Sequence, residues 1–211
     1  MGNSNSNDLL ETSTNGKLDE VIKLVNKGAS VNVRDKDNNT PLILASTNNH
    51  LEIVRFLINK KADIEAKNNT GNNSLHYSAW YDNKTVVKLL LINKANVDAT
   101  CSKGITPLIR AAWNGTPQTV KFLLDYGANM DHISNSGNTA LSMAIKHNKL
   151  VIELLLYKPP EKFNCSVCLE RDIECVFNCG HSTCYICFDK LELKNCIKCR
   201  EEIKLPIRLY F

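Results

Sequence analysis

The side chains best suited to chemistry in this 211-residue chain are thiols and one imidazole, gathered in a short C-terminal stretch. Seven of the nine cysteines recur there in Cys-x2-Cys pairs and around a single Cys-x-His step. These residues are Cys165, Cys168, Cys179, His181, Cys184, Cys187, Cys196 and Cys199. A Cys-x2-Cys pair places two thiolates on one tight turn, and eight such ligands bind two tetrahedral zinc ions with no coordination position left open. A disulfide cluster is the alternative, but it is typical of secreted chains, and the N-terminus has no apolar signal segment.

The ligand order is three cysteines, a histidine and four cysteines, and it resembles the RING finger over roughly residues 163–211. The resemblance implies interleaved binding of two Zn²⁺ ions. One ion would be held by Cys165, Cys168, Cys184 and Cys187, and the other by Cys179, His181, Cys196 and Cys199. Cys101 and Cys175 fit neither set and are expected to be free thiols. The stretch is too small for a self-sufficient apolar core, so metal binding is expected to drive its folding.

Most RING fingers are ubiquitin ligases, and the family's working positions carry named residues here. The resemblance implies that Val167 and Leu191 dock a ubiquitin-conjugating enzyme. Ile197 stands in the same docking region, where the family often has proline. Arg200 follows the last ligand, where a basic residue in active members bridges ubiquitin and the conjugating enzyme; a solvated surface arginine is the alternative.

The C-terminal tail alternates apolar and polar residues, as a strand does: Ile203, Leu205, Ile207 and Leu209 are apolar. The tail resembles those of inhibitor-of-apoptosis and Mdm-type RING ligases, which dimerise. That resemblance implies a RING homodimer in which Tyr210 of one copy helps to dock the conjugating enzyme on the other. The alternative is that the tail covers the core of its own domain.

The first two-thirds of the chain repeat with a period of 33 residues. The recurring residues are Leu9, Leu42, Leu75, Leu108 and Leu141; Val21, Val54, Val87 and Val120; and Ala29, Ala62, Ala95 and Ala128. Together with Thr40-Pro41-Leu42 and Thr106-Pro107-Leu108, they resemble ankyrin repeats over roughly residues 5–158. The resemblance implies pairs of antiparallel helices joined by β-turn fingers, with a core supplied by stacking.

The predicted fold class is an all-α ankyrin repeat solenoid followed by a small zinc-stabilised α+β RING domain. We predict an N-terminal segment at 1–7, five repeats at 8–158, a short stiff linker at 159–162 and the RING finger with its tail at 163–211. In the fifth repeat the outer helix fits only if one residue is deleted from the period, so that Ile152, Leu155 and Leu156 match Val120, Leu123 and Leu124.

A substrate surface is predicted on repeats three and four. In the ankyrin pattern, the end of the inner helix and the finger position before the next inner helix face the concave groove. Those positions carry Trp80, Tyr81, Ile105 and Trp113. Exposed aromatic residues beside polar rims are typical of binding hot spots. The alternative is that the two indoles pack between repeats or against the C-terminal domain.

The remaining features of the sequence limit the kinds of partner that we expect. The formal net charge is +4 and no basic cluster indicates nucleic acid as a partner. No run of about 20 apolar residues is long enough to span a membrane. Gly2 lies in Met1-Gly2-x-x-x-Ser6, which fits the N-myristoylation pattern. A single acyl chain anchors only marginally, so we expect a cytoplasmic protein with weak, reversible membrane association.

Two functions are compatible with these patterns. The first is a RING-type E3 ubiquitin transferase with no covalent ubiquitin intermediate, which recruits an unidentified protein substrate through its ankyrin repeats. The second is an ankyrin-repeat scaffold whose RING is structural or only dimerises. Val167, Leu191 and Arg200 favour the ligase, whereas Ile197 favours the scaffold.

Overall fold

The computed structural model divides the chain into two compact units, Met1–Tyr157 and Lys158–Phe211. The structure describes residues 4–147, 149, 152 and 156 of the first unit and, in the second, the backbone of 175–176, 182–183 and 207–208. Within these described residues, no helix has both the length and the apolarity needed to cross a membrane.

The first unit is built from short helices that follow one another in pairs. Over residues 4–147 the helices are α1 (Ser4–Asn15), α2 (Leu18–Asn26), α3 (Pro41–Thr47), α4 (Leu51–Asn59), α5 (Ser74–Trp80), α6 (Lys84–Ile92), α7 (Pro107–Asn114), α8 (Pro117–Asp125) and α9 (Ala140–Lys146). The inner helices α1, α3, α5, α7 and α9 pack successively against one another, and the outer helices α2, α4, α6 and α8 form a second row. Ile152 and Leu156 are also helical and buried.

Four of the inner helices, α3, α5, α7 and α9, begin where a polar side chain caps the free backbone N–H groups. The Oγ1 atoms of Thr40 and Thr106 accept from the N–H three residues later at 3.3 Å, and Thr139 does the same at 3.1 Å. Asn73 takes this role for α5. Proline at the first helical position of α3 and α7 costs no hydrogen bond, because that N–H has no helical partner.

The turn after each outer helix needs a residue in the left-handed backbone region. The four equivalent positions are Gly28, Lys61, Lys94 and Gly127, with φ of 92°, 64°, 65° and 84°. Glycine adopts this conformation without a Cβ clash, whereas lysine is strained there. The repeats therefore share one backbone path, although only two of them have the residue that fits it best.

The repeating apolar residues form one continuous core. Leu9, Leu42, Leu75 and Leu108 are buried between successive inner helices, and the recurring valines, Val21, Val54, Val87 and Val120, are buried under the outer helices. Leu141 of the last repeat is only half-buried. Stacking thus buries apolar surface that a single helix pair leaves exposed.

Hydrogen bonds between the fingers tie each repeat to the next. Arg34 Nη1 donates to the carbonyl oxygen of Lys67 at 2.8 Å, and Lys67 Nζ donates to that of Thr100 at 2.8 Å. Backbone bonds add to this, since the N–H of Ser102 donates to the carbonyl of Thr70 at 3.1 Å. The fingers therefore form a ladder in which every rung joins neighbours in the array.

The first helix, α1, reaches into the predicted N-terminal segment at residues 1–7. Helix α1 begins at Ser4, so 4–7 form its first turn. Asparagine and serine are weak helix formers, but Leu9 and Leu10 are buried in the same helix, and their packing outweighs local propensity. Gly2 lies outside the described residues, so its lipidation stays a prediction.

The described part of the second unit is a small antiparallel sheet. Strands β1 (Cys175–Val176), β2 (Ser182–Thr183) and β3 (Ile207–Arg208) lie in the order β2-β1-β3, with Cys175 opposite Thr183 and Arg208. One edge of the predicted tail strand is therefore occupied by its own chain, so a second copy would have to use the other edge. The eight predicted zinc ligands and the predicted docking residues Val167, Leu191, Ile197, Arg200 and Tyr210 lie outside the described residues.

Candidate functional site

The four residues predicted for the substrate surface line one groove with a volume of ≈ 550 Å³. Trp80 and Tyr81 come from the end of α5, and Trp113 comes from the end of α7. Ile105 comes from the finger that precedes α7. We call this feature the tryptophan groove.

Hydrogen bonds between repeats fix the helix ends that carry the aromatic residues. Asn114 Nδ2 donates to the carbonyl oxygen of Trp80 at 3.0 Å. Asp82, which follows Tyr81, accepts from the backbone N–H of Thr116 at 3.2 Å and from its hydroxyl at 2.8 Å. The positions of the two indole-bearing turns are thus set by the neighbouring repeat.

The two indoles meet edge to face, with ring centroids 5.1 Å apart and an interplanar angle of 72°. Trp113 also stacks on His147, with centroids 5.3 Å apart. Both indoles are half-buried, whereas Tyr81 is 53% exposed. Trp113 packs against the core, and the aromatic cluster still borders open space, so the geometry is compatible with both interpretations of the indoles.

Sequence reasoning missed Arg110, which also lines the groove. Its guanidinium carbon lies 4.9 Å from the centroid of the Trp80 ring, a cation–π arrangement. One guanidinium nitrogen also contacts Asn72 Oδ1 at 3.4 Å. The sequence did contain a signal for Arg110. It precedes Trp113 by three residues, about one helical turn, so the two side chains share one face of α7.

His76 anchors the floor of the groove. Its Nε2 donates to the carbonyl oxygen of Ile105 at 3.0 Å, because a carbonyl can only accept. Its Nδ1 accepts from the backbone N–H of Asn73 at 3.3 Å and lies 2.7 Å from Asn73 Oδ1. Burial outweighs the bond to Ile105 and, with the positive charges of Arg110 and Lys67, lowers the pKa of His76 to about 4. The ring is therefore neutral near pH 7, as a structural histidine should be.

The charge of the groove is one-sided. Arg110 and the exposed Lys103 are its basic residues, and none of its described lining residues is acidic. The thiol of Cys101, predicted to be free, is unpaired and buried against the groove. The arrangement offers aromatic surface and hydrogen-bond donors, which suits recognition of another molecule.

A comparison with protein families agrees with this geometry. The model described as "Ankyrin repeats (3 copies)" matches residues 9–101 and 83–166, which is most of the chain. The chain belongs to the ankyrin-repeat family. Ankyrin repeats bind proteins, so the first unit has a protein-binding role, and the tryptophan groove is the candidate surface for it.

Over the described residues, no group of three or more histidine, cysteine, aspartate or glutamate side chains is placed to hold a metal ion. The predicted zinc ligands all belong to the second unit and lie outside the described residues.

Proposed function

We propose that this protein is a RING-type E3 ubiquitin-protein ligase whose ankyrin repeats recruit the substrate. The observation that carries the proposal is the spacing of Cys165 through Cys199, which supplies eight ligands in the order of a RING finger. The ankyrin family adds a protein-binding unit in the same chain. A ligase needs both parts, one to select the substrate and one to promote transfer.

The donor set fits two zinc ions. Seven thiolates and one imidazole are the ligands that structural zinc sites use, and four per ion completes a tetrahedron. Strands β1 and β2 pair, and the segment that joins them in sequence contains Cys179 and His181. Zinc would supply folding energy to the second unit and would take no part in the transfer itself.

Transfer would depend on positioning, with no covalent bond between ubiquitin and this chain. Val167, Leu191 and Ile197 would hold the conjugating enzyme through apolar contacts. Arg200 would bridge that enzyme and ubiquitin, because a guanidinium presents a rigid fork of N–H donors. Holding the reacting groups in one orientation lowers the entropic part of the barrier. In a dimer, Tyr210 would complete the docking surface of the partner copy.

The test is ubiquitin discharge by the full-length chain over a panel of conjugating enzymes, combined with elemental analysis. We expect two zinc ions per chain and discharge that is slowed at least about tenfold by Arg200→Ala, the loss expected when a charge-assisted contact is removed. Arg55→Ala is the matched control, since Arg55 is an exposed arginine of the ankyrin unit.

Two results would contradict the proposal in different ways. A folded chain with fewer than two zinc ions would refute the metal site. Two zinc ions with no discharge by any conjugating enzyme would leave the scaffold function, in which the RING is structural or only dimerises.

A further inference from the structure

The tryptophan groove contains a cation, Arg110, that has no carboxylate partner among the described residues. Arg110 forms no ion pair with any described residue, and the lining of the groove is free of acidic side chains over the same residues. Most buried or half-buried arginines in proteins find such a partner, because a guanidinium is costly to desolvate alone. A bound molecule can therefore supply the negative charge that pairs with Arg110.

The existing contacts of Arg110 leave its strongest donors unused. The contact with the Trp80 ring leaves the guanidinium N–H groups without an anionic acceptor among the described residues, and the single hydrogen bond to Asn72 is neutral and long at 3.4 Å. A guanidinium carries five N–H donors in its plane, and two parallel ones match the oxygens of a carboxylate. A guanidinium held beside an aromatic ring is partly ordered before a carboxylate binds, which reduces the side-chain entropy lost on binding.

Other groups in the groove support a negative ligand. Lys103 is exposed at its rim, and the hydroxyl of Tyr77 accepts from Asn68 Nδ2 at 2.9 Å, which leaves its own O–H free to donate. Burial is the main cause of the lowered pKa of His76, and the positive charges of Arg110 and Lys67 lower it further. A positively charged ligand would meet repulsion at the same place.

Apolar surface lies directly beside this charge. Trp113 and Ile105 are both half-buried, and the edge-to-face pair with Trp80 makes a wall of aromatic carbon. Tyr81 extends the wall outward, because half of its surface is exposed. Aromatic residues combined with arginine are the composition of interface hot spots.

We propose that the tryptophan groove binds a protein segment in which aspartate or glutamate neighbours a large apolar residue. The carboxylate is held by Arg110 with help from Lys103, and the apolar side chain lies against Trp113 and Ile105. This inference rests on the recruitment role in the proposed function and names the chemical class of the recruited segment. A protein is favoured over RNA because two basic residues are few for a phosphate backbone and the chain belongs to a protein-binding family.

The experiment measures which peptides the full-length protein selects from a positional-scanning library. The peptides are acetylated and amidated, so that terminal charges play no part. We expect enrichment of aspartate or glutamate beside leucine, isoleucine or phenylalanine. Arg110→Glu should weaken binding of the selected peptide at least about tenfold, the usual effect of losing a hot spot, and should shift selection towards lysine and arginine. Lys88→Glu makes the same charge change on the exposed face of α6 and should leave selection unchanged.

Three results would overturn the inference. These are selection without any acidic preference, an unchanged acidic preference in Arg110→Glu, and displacement of the selected peptide by fluorescein-labelled oligouridylate at equal affinity. If Arg110→Glu does not fold, Arg110→Gln replaces it and must also lose the acidic preference.

The outcome is separable from that of the ligase test. A chain that discharges ubiquitin but selects no acidic peptide would overturn this inference alone. A chain that selects acidic peptides but discharges no ubiquitin would support it and overturn only the ligase proposal.

Discussion

The neutral, buried His76 makes the stability of the ankyrin unit depend on pH. The side chain is 1% exposed, and its pKa is lowered from 6.5 to about 4. Between these values the unfolded chain binds a proton that the folded chain does not, so unfolding is favoured as the pH falls. At about 1.4 kcal/mol per pKa unit, the free energy of unfolding should fall by about 2 kcal/mol between pH 8 and pH 5, and by about 3 kcal/mol once pH 4 is reached.

The assay is urea unfolding at several pH values, followed by tryptophan fluorescence. Both tryptophans of the chain, Trp80 and Trp113, lie in the ankyrin unit, so the signal reports that unit alone. The comparison variant is His76→Gln. Glutamine at this third helical position can still reach back to the N–H of Asn73, as the imidazole does, but it does not titrate.

The informative quantity is the difference between the two pH profiles, because all other titrating groups are common to both proteins. We expect the wild-type profile to fall more steeply from pH 6.5 towards pH 4, and the two to run parallel above pH 7. Profiles that stay parallel down to pH 4 would refute the reasoning, since they would mean that burial of His76 does not disfavour its protonation.

Three further predictions concern a turn, the aromatic cluster and the N-terminus. Lys61→Gly should raise the free energy of unfolding by about 0.5–1 kcal/mol, because Lys61 has φ of 64°, whereas Lys60→Gly, at φ of −85°, should give no gain; equal effects would contradict this. Trp80→Ala combined with Trp113→Ala should weaken binding of the selected acidic peptide by about 2 kcal/mol or more, and loss of the helical circular dichroism signal would instead make the indoles core residues. Gly2→Ala should abolish a myristoyl mass shift after co-expression with a myristoyl transferase, and an unmodified wild-type glycine would remove lipidation from consideration.

The fold of the ankyrin unit could be predicted from the sequence because its buried apolar residues recur with a fixed period. Leu42, Leu75 and Leu108 are spaced by one repeat and occupy equivalent buried places, so the period alone identifies the core. No local pattern marks the start of α1, because its first turn is polar. It is helical through the packing of Leu9 and Leu10, and such tertiary stabilisation is invisible to local propensity.

The sequence predicted where the groove lies, but it did not predict that Arg110 gives the groove a positive charge. Repeat equivalence placed Trp80 and Trp113 together, since both follow from where an inner helix ends. The contact of Arg110 with the Trp80 ring depends on side-chain rotamers across two repeats, which no local pattern encodes. The lack of a carboxylate partner among the described residues is likewise a property of the assembled surface.

The hydrogen bonds between the fingers affect the order in which the repeats unfold. Across the repeat interfaces, Arg34 bonds only to Lys67 of the next repeat, and the Nζ of Lys67 only to Thr100 of the one after it. Loss of one of these hydrogen bonds therefore destabilises one interface between neighbouring repeats and leaves the others intact. Such a structure unravels from its ends, where a repeat has a neighbour on one side only. The tryptophan groove lies on the third and fourth repeats, with a repeat on each side. The terminal repeats are therefore expected to unfold first, and the groove on the central repeats should keep its structure until the array unfolds as a whole.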